Sequence, residues 1–178
     1  MKLYRFSPIK SQEELLKVIE HIHFESYRLC KISFGNYLPN SGNVGVFCHY
    51  PDEYVHLTSI RKELTESSEN YNQKYFRLHN PIVIPAKDDI PETTYEFLYV
   101  RQPDPYRHHA GDIDFYLPED EYFELKKDME NGKEVPGARL FPSPRLEMIE
   151  MYHPDCDVLA YVSTAKMADI VKNTISES

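Results

Sequence analysis

The sequence predicts an α+β fold in which two βαβββ modules form curved, mostly antiparallel sheets that enclose a cavity. Several short segments are rich in the β-branched and aromatic residues that strands favour, and others space their apolar residues as amphipathic helices do. A strand, a helix and three strands follow one another over residues 1–102 and again over residues 103–164. This repeated order predicts two modules followed by a C-terminal tail at residues 165–178.

The first module is predicted to begin with a short strand and a long helix. The segment LYRFSPI at residues 3–9 alternates weakly, as a strand does. Ser11 and Glu14 then have the spacing of a capping box, and apolar residues recur at helical spacing to about residue 34. Strands are expected at 43–50, 74–85 and 93–102, with a helical insertion and a polar loop at 51–73.

The second module is predicted from clearer boundaries. GDIDFYLP at 111–118 alternates as a strand, and a helix with acidic residues in its first turn follows and ends just before Gly132. Three further strands are expected at 138–142, 146–153 and 157–163, and the tail should form a short helix that frays into a disordered end.

Composition limits the classes of function. The chain has 178 residues, 41% of them hydrophobic, which suffices for a buried core, and its net charge of -9 disfavours nucleic acid as a partner. No secretory signal and no apolar run of roughly 20 residues is present, so we expect a cytoplasmic protein without a membrane partner. The three cysteines are far apart and odd in number, which argues against disulfides and a structural zinc site.

The tandem order resembles the vicinal oxygen chelate superfamily, which includes glyoxalases, bleomycin-resistance proteins and extradiol dioxygenases. The second half resembles it most, with His108 and His109 ahead of GDIDFYL and MYHPDCDVLAYV at the close. The resemblance implies a divalent metal ion in a cavity, with His108 or His109 and Glu96 as ligands. Arg5 and Tyr161 stand where the remaining ligands would lie, so a metal-free binding cavity stays open as an alternative.

Side-chain parity indicates which residues share a strand face. Tyr75, Arg77 and His79 alternate with apolar residues on one strand, and Asp112 and Asp114 do so on another. These polar faces line a cavity or face solvent. If they line a cavity, Tyr75, Arg77, Asp112 and Asp114 would contact the ligand, with Arg77 binding an anionic group, and His79 and Glu96 would act as acid and base.

Asp112 and Asp114 also resemble the Asp-x-Asp pair of Mg²⁺-dependent nucleotidyltransferases, with Asp157 or Glu150 as the third acid. RHHA occupies the place of that family's Gly-Ser turn. We therefore expect both aspartates to make hydrogen bonds or ion pairs instead, for instance to Arg101, Arg107 or backbone amides.

The expected function is a glyoxalase-like enzyme acting on a small anionic or oxygen-rich molecule. A metal-free protein that binds or sequesters such a molecule is the alternative. The 14 tyrosines also allow a third function, a module that binds other proteins, because tyrosine is enriched in interfaces. A homodimer is one of the expected partners.

Overall fold

The computed structural model describes residues 4–141 and 147–172 and confirms the α+β class. The helices are α1 (Gln12–Phe34), α2 (Pro51–Leu64), α3 (Glu119–Glu130) and α4 (Ala165–Lys172). The strands are β1 (Asn40–Phe47), β2 (Phe76–Ile84), β3 (Thr93–Arg101), β4 (Gly111–Leu117), β5 (Ala138–Phe141), β6 (Met148–Met151) and β7 (Leu159–Thr164). Of these helices, none is long and apolar enough to cross a membrane.

The described strands form one mixed sheet in the order β2-β3-β1-β4-β7-β6-β5. Two neighbouring pairs, β1 with β3 and β4 with β7, are parallel, and the other pairs are antiparallel. Each parallel pair is joined by a connection that contains a helix, as parallel pairing requires. The sheets of the two halves therefore meet edge to edge through β1 and β4.

The two halves share one topology. In each half the opening strand lies at the centre of the sheet, the last strand pairs with it in parallel, and the earlier strands continue outwards. The helix α2 connects the strands of the first half as α3 connects those of the second. The segment expected to be an insertion thus contains the counterpart of α3, and the second half has one more strand.

The strand predicted for residues 3–9 is wrong over its described part. Residues 4–9 join neither a helix nor the sheet. Instead Ile9 is buried and its amide donates to the Glu53 carboxylate, 2.8 Å away. This bond to the start of α2 takes the place of strand pairing. Residues 142, 146 and 173–178 of the remaining predictions lie outside the described residues.

The helices α1, α2 and α3 pack on the apolar face of the sheet. The helix α1 begins where Ser11 Oγ accepts the Glu14 amide at 3.1 Å, and it ends at Gly35, whose φ of 74° is left-handed. Its buried stripe packs on β4 and β7. The predicted apolar side of β4 is confirmed, because Ile113 and Phe115 are fully buried there.

The opposite face of the sheet, which we call the polar face, carries two rows of side chains. Register pairs Tyr99 with Gly45, Gly45 with Asp112 and Asp112 with Leu159. A second row joins Asp114, Tyr161, Glu150 and Arg139. A small apolar cluster of Phe47, Leu159 and Tyr161 also lies here. Acidic groups and aromatic rings thus share one face.

Candidate functional site

Asp112 and Asp114, which we call the acidic pair, lie at the centre of the polar face. They are two residues apart on β4, so their side chains project to the same side, and each is only 7% exposed. Asp114 Oδ2 accepts a hydrogen bond from Asn43 Nδ2 at 3.2 Å. Asp112 Oδ1 is buried and has no partner among the described residues. A buried carboxyl oxygen without a partner is costly, which marks this position as unusual.

Burial makes the acidic pair hold protons more tightly than exposed aspartates do. Burial and then the charge of Asp114 raise the pKa of Asp112 to about 8, although Arg101 and Arg107 oppose the rise. Burial raises the pKa of Asp114 to about 6, while the Asn43 bond and Lys172 oppose it. Two neighbouring carboxyls in a poorly solvated site resist double ionisation, so the pair retains a proton near neutral pH.

Two tyrosines, Tyr75 and Tyr99, lie near the acidic pair. Tyr75 is buried, and its ring lies 5.3 Å from that of Tyr99, which flanks Gly45. Burial, followed by the charges of Asp114 and Asp112, raises the pKa of Tyr75 well above its usual value. Its hydroxyl therefore stays protonated and able to donate a hydrogen bond.

Glu150 on β6 is fully buried and holds the next group of charges. Its Oε2 accepts bonds from Arg107 at 3.2 Å and from the Tyr161 hydroxyl at 3.0 Å. Its Oε1 accepts from Arg139 Nε at 2.9 Å. These bonds compensate a carboxylate that would otherwise be strongly destabilising in the interior.

Gly45 leaves the space that the Asp112 side chain occupies. A Cβ added at Gly45 would lie 2.1 Å from Asp112 Oδ1 and 3.5 Å from Tyr99 Cδ1. A side chain here would displace Asp112 from its place on the polar face. The glycine is thus required by close approach across the β1–β4 pair.

Arg77, His79 and Glu96, predicted as site residues, lie towards the β2 edge of the sheet. His79 is exposed. Arg77 Nη2 lies 3.5 Å from Glu96 Oε2, and these side chains are 57% and 51% exposed. Glu96 is therefore part of an ion pair that is exposed to solvent. The catalytic roles assigned to His79 and Glu96 stay predictions.

The residues predicted as metal ligands make other contacts in this structure. His108 and His109 stack on each other with ring centroids 4.3 Å apart, and Glu96 is engaged by Arg77. Burial lowers the pKa of His109 to about 4, so its ring is neutral. In the described part of the chain, no group of three or more His, Cys, Asp or Glu side chains is arranged to hold a metal ion.

The magnesium interpretation of the acidic pair also lacks its third acid. Glu150 is bound by Arg107, Arg139 and Tyr161, and Asp157 binds His21 Nε2 at 2.6 Å. Arg107 and Arg101, expected to bind the aspartates, pair with Glu150 and Asp104 instead. The arginines given as examples are thus engaged elsewhere, while Asp114 makes the expected hydrogen bond with Asn43.

Comparisons with known proteins support the fold. No protein-family model matches the chain, and the search of curated proteins found no significant match. A solved structure described as structural genomics Protein EC4020 has a TM-score of 0.54 at 14% identity, with 94% of both chains covered. At that identity the similarity shows the fold alone.

Two further structures are variants of Streptomyces coelicolor methylmalonyl-CoA epimerase in complex with 2-nitronate-propionyl-CoA. Their TM-scores are 0.30 and 0.29 at 15% and 16% identity, with 71% of this chain and 99% of theirs covered. The epimerase is a member of the vicinal oxygen chelate superfamily. The superposition is too loose for its chemistry to be transferred.

Sequence reasoning named the acidic pair, Tyr75 and, as a candidate third acid, Glu150, but it missed Asn43 and Gly45. Glu150 lies between Ile149 and Met151, whose side chains are buried on the other side of the strand. The alternation of Glu150 with these apolar residues was the sequence signal that it lies on the polar face. Asn43 and Gly45 gave no such signal, because only the β1–β4 register brings them to β4.

Proposed function

We propose that the polar face binds a small oxygen-rich or anionic molecule and that the acidic pair transfers a proton to or from it. The observation that carries the proposal is Asp112, a buried carboxyl whose Oδ1 has no hydrogen-bond partner among the described residues. Because Oδ1 lies against Gly45, the Asp112 carboxyl would turn towards a ligand, whose hydrogen bond would then satisfy it.

The acidic pair suits general acid–base chemistry. A catalytic group works best when its pKa lies near the working pH, and burial moves both aspartates in that direction. With one proton between them, one carboxyl acts as base while the other acts as acid. Each step would move a proton between a carboxyl oxygen of the pair and a carbon or oxygen of the bound molecule.

The surroundings favour a ligand that carries oxygen atoms or a negative charge. Arg101 and Arg107 act on Asp112 through their charges, and Lys172 acts on Asp114. The hydroxyl of Tyr75 stays protonated and could donate to a ligand oxygen. A carboxylate or carbonyl next to an acidic C–H group fits both the cations and the shared proton.

Proton exchange measures this function directly. The wild-type protein is incubated in D₂O with malonate, pyruvate and 2-oxoglutarate, and NMR follows loss of the C–H signals next to the carbonyl or carboxylate groups. We expect the protein to catalyse the exchange of C–H hydrogen for deuterium in at least one of these acids. The Asp112→Asn variant should lower this exchange rate by at least about 100-fold.

Comparison variants separate the candidate roles. Glu96→Gln should leave the exchange rate unchanged if the acidic pair carries the chemistry, and should abolish exchange if Glu96 is the base. No exchange and no shift of the Asp112 or Asp114 amide signals with any acid at millimolar concentration would contradict the proposal.

A binding or sequestration protein is the second candidate. It is favoured by the low exposure of both aspartates. In each catalytic cycle a substrate would have to enter, and a product leave, past the side chains that cover them. Amide shifts on β4 without proton exchange would support this candidate.

A further inference from the structure

A separate cavity lies where β1 ends and β4 begins. Residues 5–9 pass over this edge of the sheet and enclose a volume of about 350 Å³. Its walls include the apolar side chains of Phe6, Ile9, Val18 and Phe47. A cavity of this size suits a small molecule with few atoms.

The side chains of Ser7 and His49 in this cavity form a hydrogen bond whose donor can be identified. Ser7 Oγ lies 2.6 Å from His49 Nδ1, and His49 Nε2 lies 3.1 Å from the carbonyl oxygen of His109. A carbonyl only accepts, so Nε2 carries the proton of the neutral ring and Nδ1 is the bare nitrogen. Ser7 is therefore the donor to His49, which is the direction that a serine nucleophile and its base require.

The surrounding chain holds this pair in place. The Glu53 carboxylate accepts the amides of Ile9 and His49, both at 2.8 Å, and so joins the segment of Ser7 to the end of β1. The ring of Tyr4 stacks on His49 with centroids 3.9 Å apart. Burial lowers the pKa of His49, which keeps the ring neutral and able to accept a proton.

The charged rim of the cavity adds a preference for the ligand. Arg5, His108 and Asp157 line it, and Arg5 Nη1 lies 3.6 Å from Asp157 Oδ2. Arg5 is mostly exposed, so its other donors remain available to an anionic or carbonyl group at the opening. Apolar walls beside the Arg5 guanidinium suit a short acyl chain with a carbonyl oxygen.

We propose that this cavity is a serine acylation site, in which Ser7, with His49 as base, accepts the acyl group of a small carboxylic ester. Ser7 Oγ forms a bond to the ester carbonyl carbon while its proton moves to His49 Nδ1. The ester C–O bond breaks, and the leaving alcohol takes that proton. A water molecule then gives one proton to His49 Nδ1 and its OH group to the acyl carbon. The bond between Ser7 Oγ and the acyl carbon breaks, Ser7 Oγ takes the proton back from His49, and the carboxylic acid leaves.

The test uses p-nitrophenyl acetate and a small fluorophosphonate on the full chain. Peptide mass spectrometry of the wild-type protein should find the phosphonate on Ser7, and this readout does not depend on whether any variant folds. Release of p-nitrophenol should fall to the uncatalysed rate in Ser7→Ala and by at least about 100-fold in His49→Gln.

Ser33→Ala is the matched control. Ser33 is also a buried serine, on α1, but its hydroxyl has no hydrogen-bond partner among the described residues. It should be labelled and should release p-nitrophenol as the wild type does. Phosphonate found elsewhere but not on Ser7, or His49→Gln labelled as fast as the wild type, would overturn the proposal.

Discussion

Replacing Asp112 by Asn should make the protein less sensitive to alkaline pH. The carboxyl of Asp112 is buried and its pKa is raised from 3.8 to about 8 by burial and by Asp114. The folded protein therefore binds this proton more tightly than the unfolded chain does. Its stabilising effect is fully present below about pH 4 and is lost as the pH rises through about 8. Asn stays neutral throughout and avoids this loss.

The rise of roughly four pKa units sets an upper limit of about 5 to 6 kcal/mol, at about 1.4 kcal/mol per unit. Coupling to Asp114 lowers this figure, because removing one carboxyl also eases ionisation of the other. We expect the free energy of unfolding of the variant, relative to wild type, to rise by about 2 to 4 kcal/mol between pH 5 and pH 9.

Urea unfolding followed by circular dichroism at pH 5, 7 and 9 measures this difference, and Glu96→Gln is the matched control. Glu96 belongs to an exposed ion pair, so its replacement should change stability by less than about 1 kcal/mol at each pH. A difference between Asp112→Asn and wild type that stays constant from pH 5 to pH 9 would refute the inferred burial of a shared proton.

Urea unfolding also tests three further predictions. Phe115→Ala should lower the free energy of unfolding by about 3 to 5 kcal/mol, because Phe115 is fully buried in the core; a loss below about 1 kcal/mol would contradict this packing. Gly45→Ala should cost about 1 to 3 kcal/mol through its clash with Asp112, and a Gly45→Ala/Asp112→Ala double variant should lose less than the sum of the single changes. Glu150→Ala should lower the free energy of unfolding by about 3 kcal/mol because it leaves Arg107 without its carboxylate. Tyr161→Phe removes one hydrogen bond to Glu150 and should lower it by about 1 kcal/mol. Equal losses in the two variants would contradict the larger role of the Arg107–Glu150 ion pair.

Most of the fold followed from local patterns. Each helix and strand between residues 40 and 172 was predicted in order and type, although β1 begins and ends three residues earlier than the 43–50 predicted for it. The strand expected at residues 3–9 failed because weak alternation does not specify a pairing partner, and Ser7 and Ile9 are instead buried against His49 and the start of α2. Local composition could not show this, since the contacts join residues more than 40 positions apart.

The candidate site, like the fold, could be predicted from the sequence only where local patterns determine it. Parity placed Asp112 and Asp114 on one face, because alternation along a single strand is a local property. The same rule grouped Arg77 with His79, but it could not show that β2 lies at the edge of the sheet, where these side chains are exposed. Ser7 and His49 form a pair only through the path of the chain between them.

The order of the strands has a consequence for how the chain folds as it is synthesised. The helix α1 is made first, yet its apolar stripe packs on β4 and β7, which end at Leu117 and Thr164. While the first half leaves the ribosome, part of that stripe can pack on β1 and β3, for instance through Tyr27 and Thr93, but the part that packs on β4 and β7 stays uncovered. An early helix of this kind is exposed to chaperones and proteases until β7 has emerged. The two halves, although alike in topology, must therefore complete folding together.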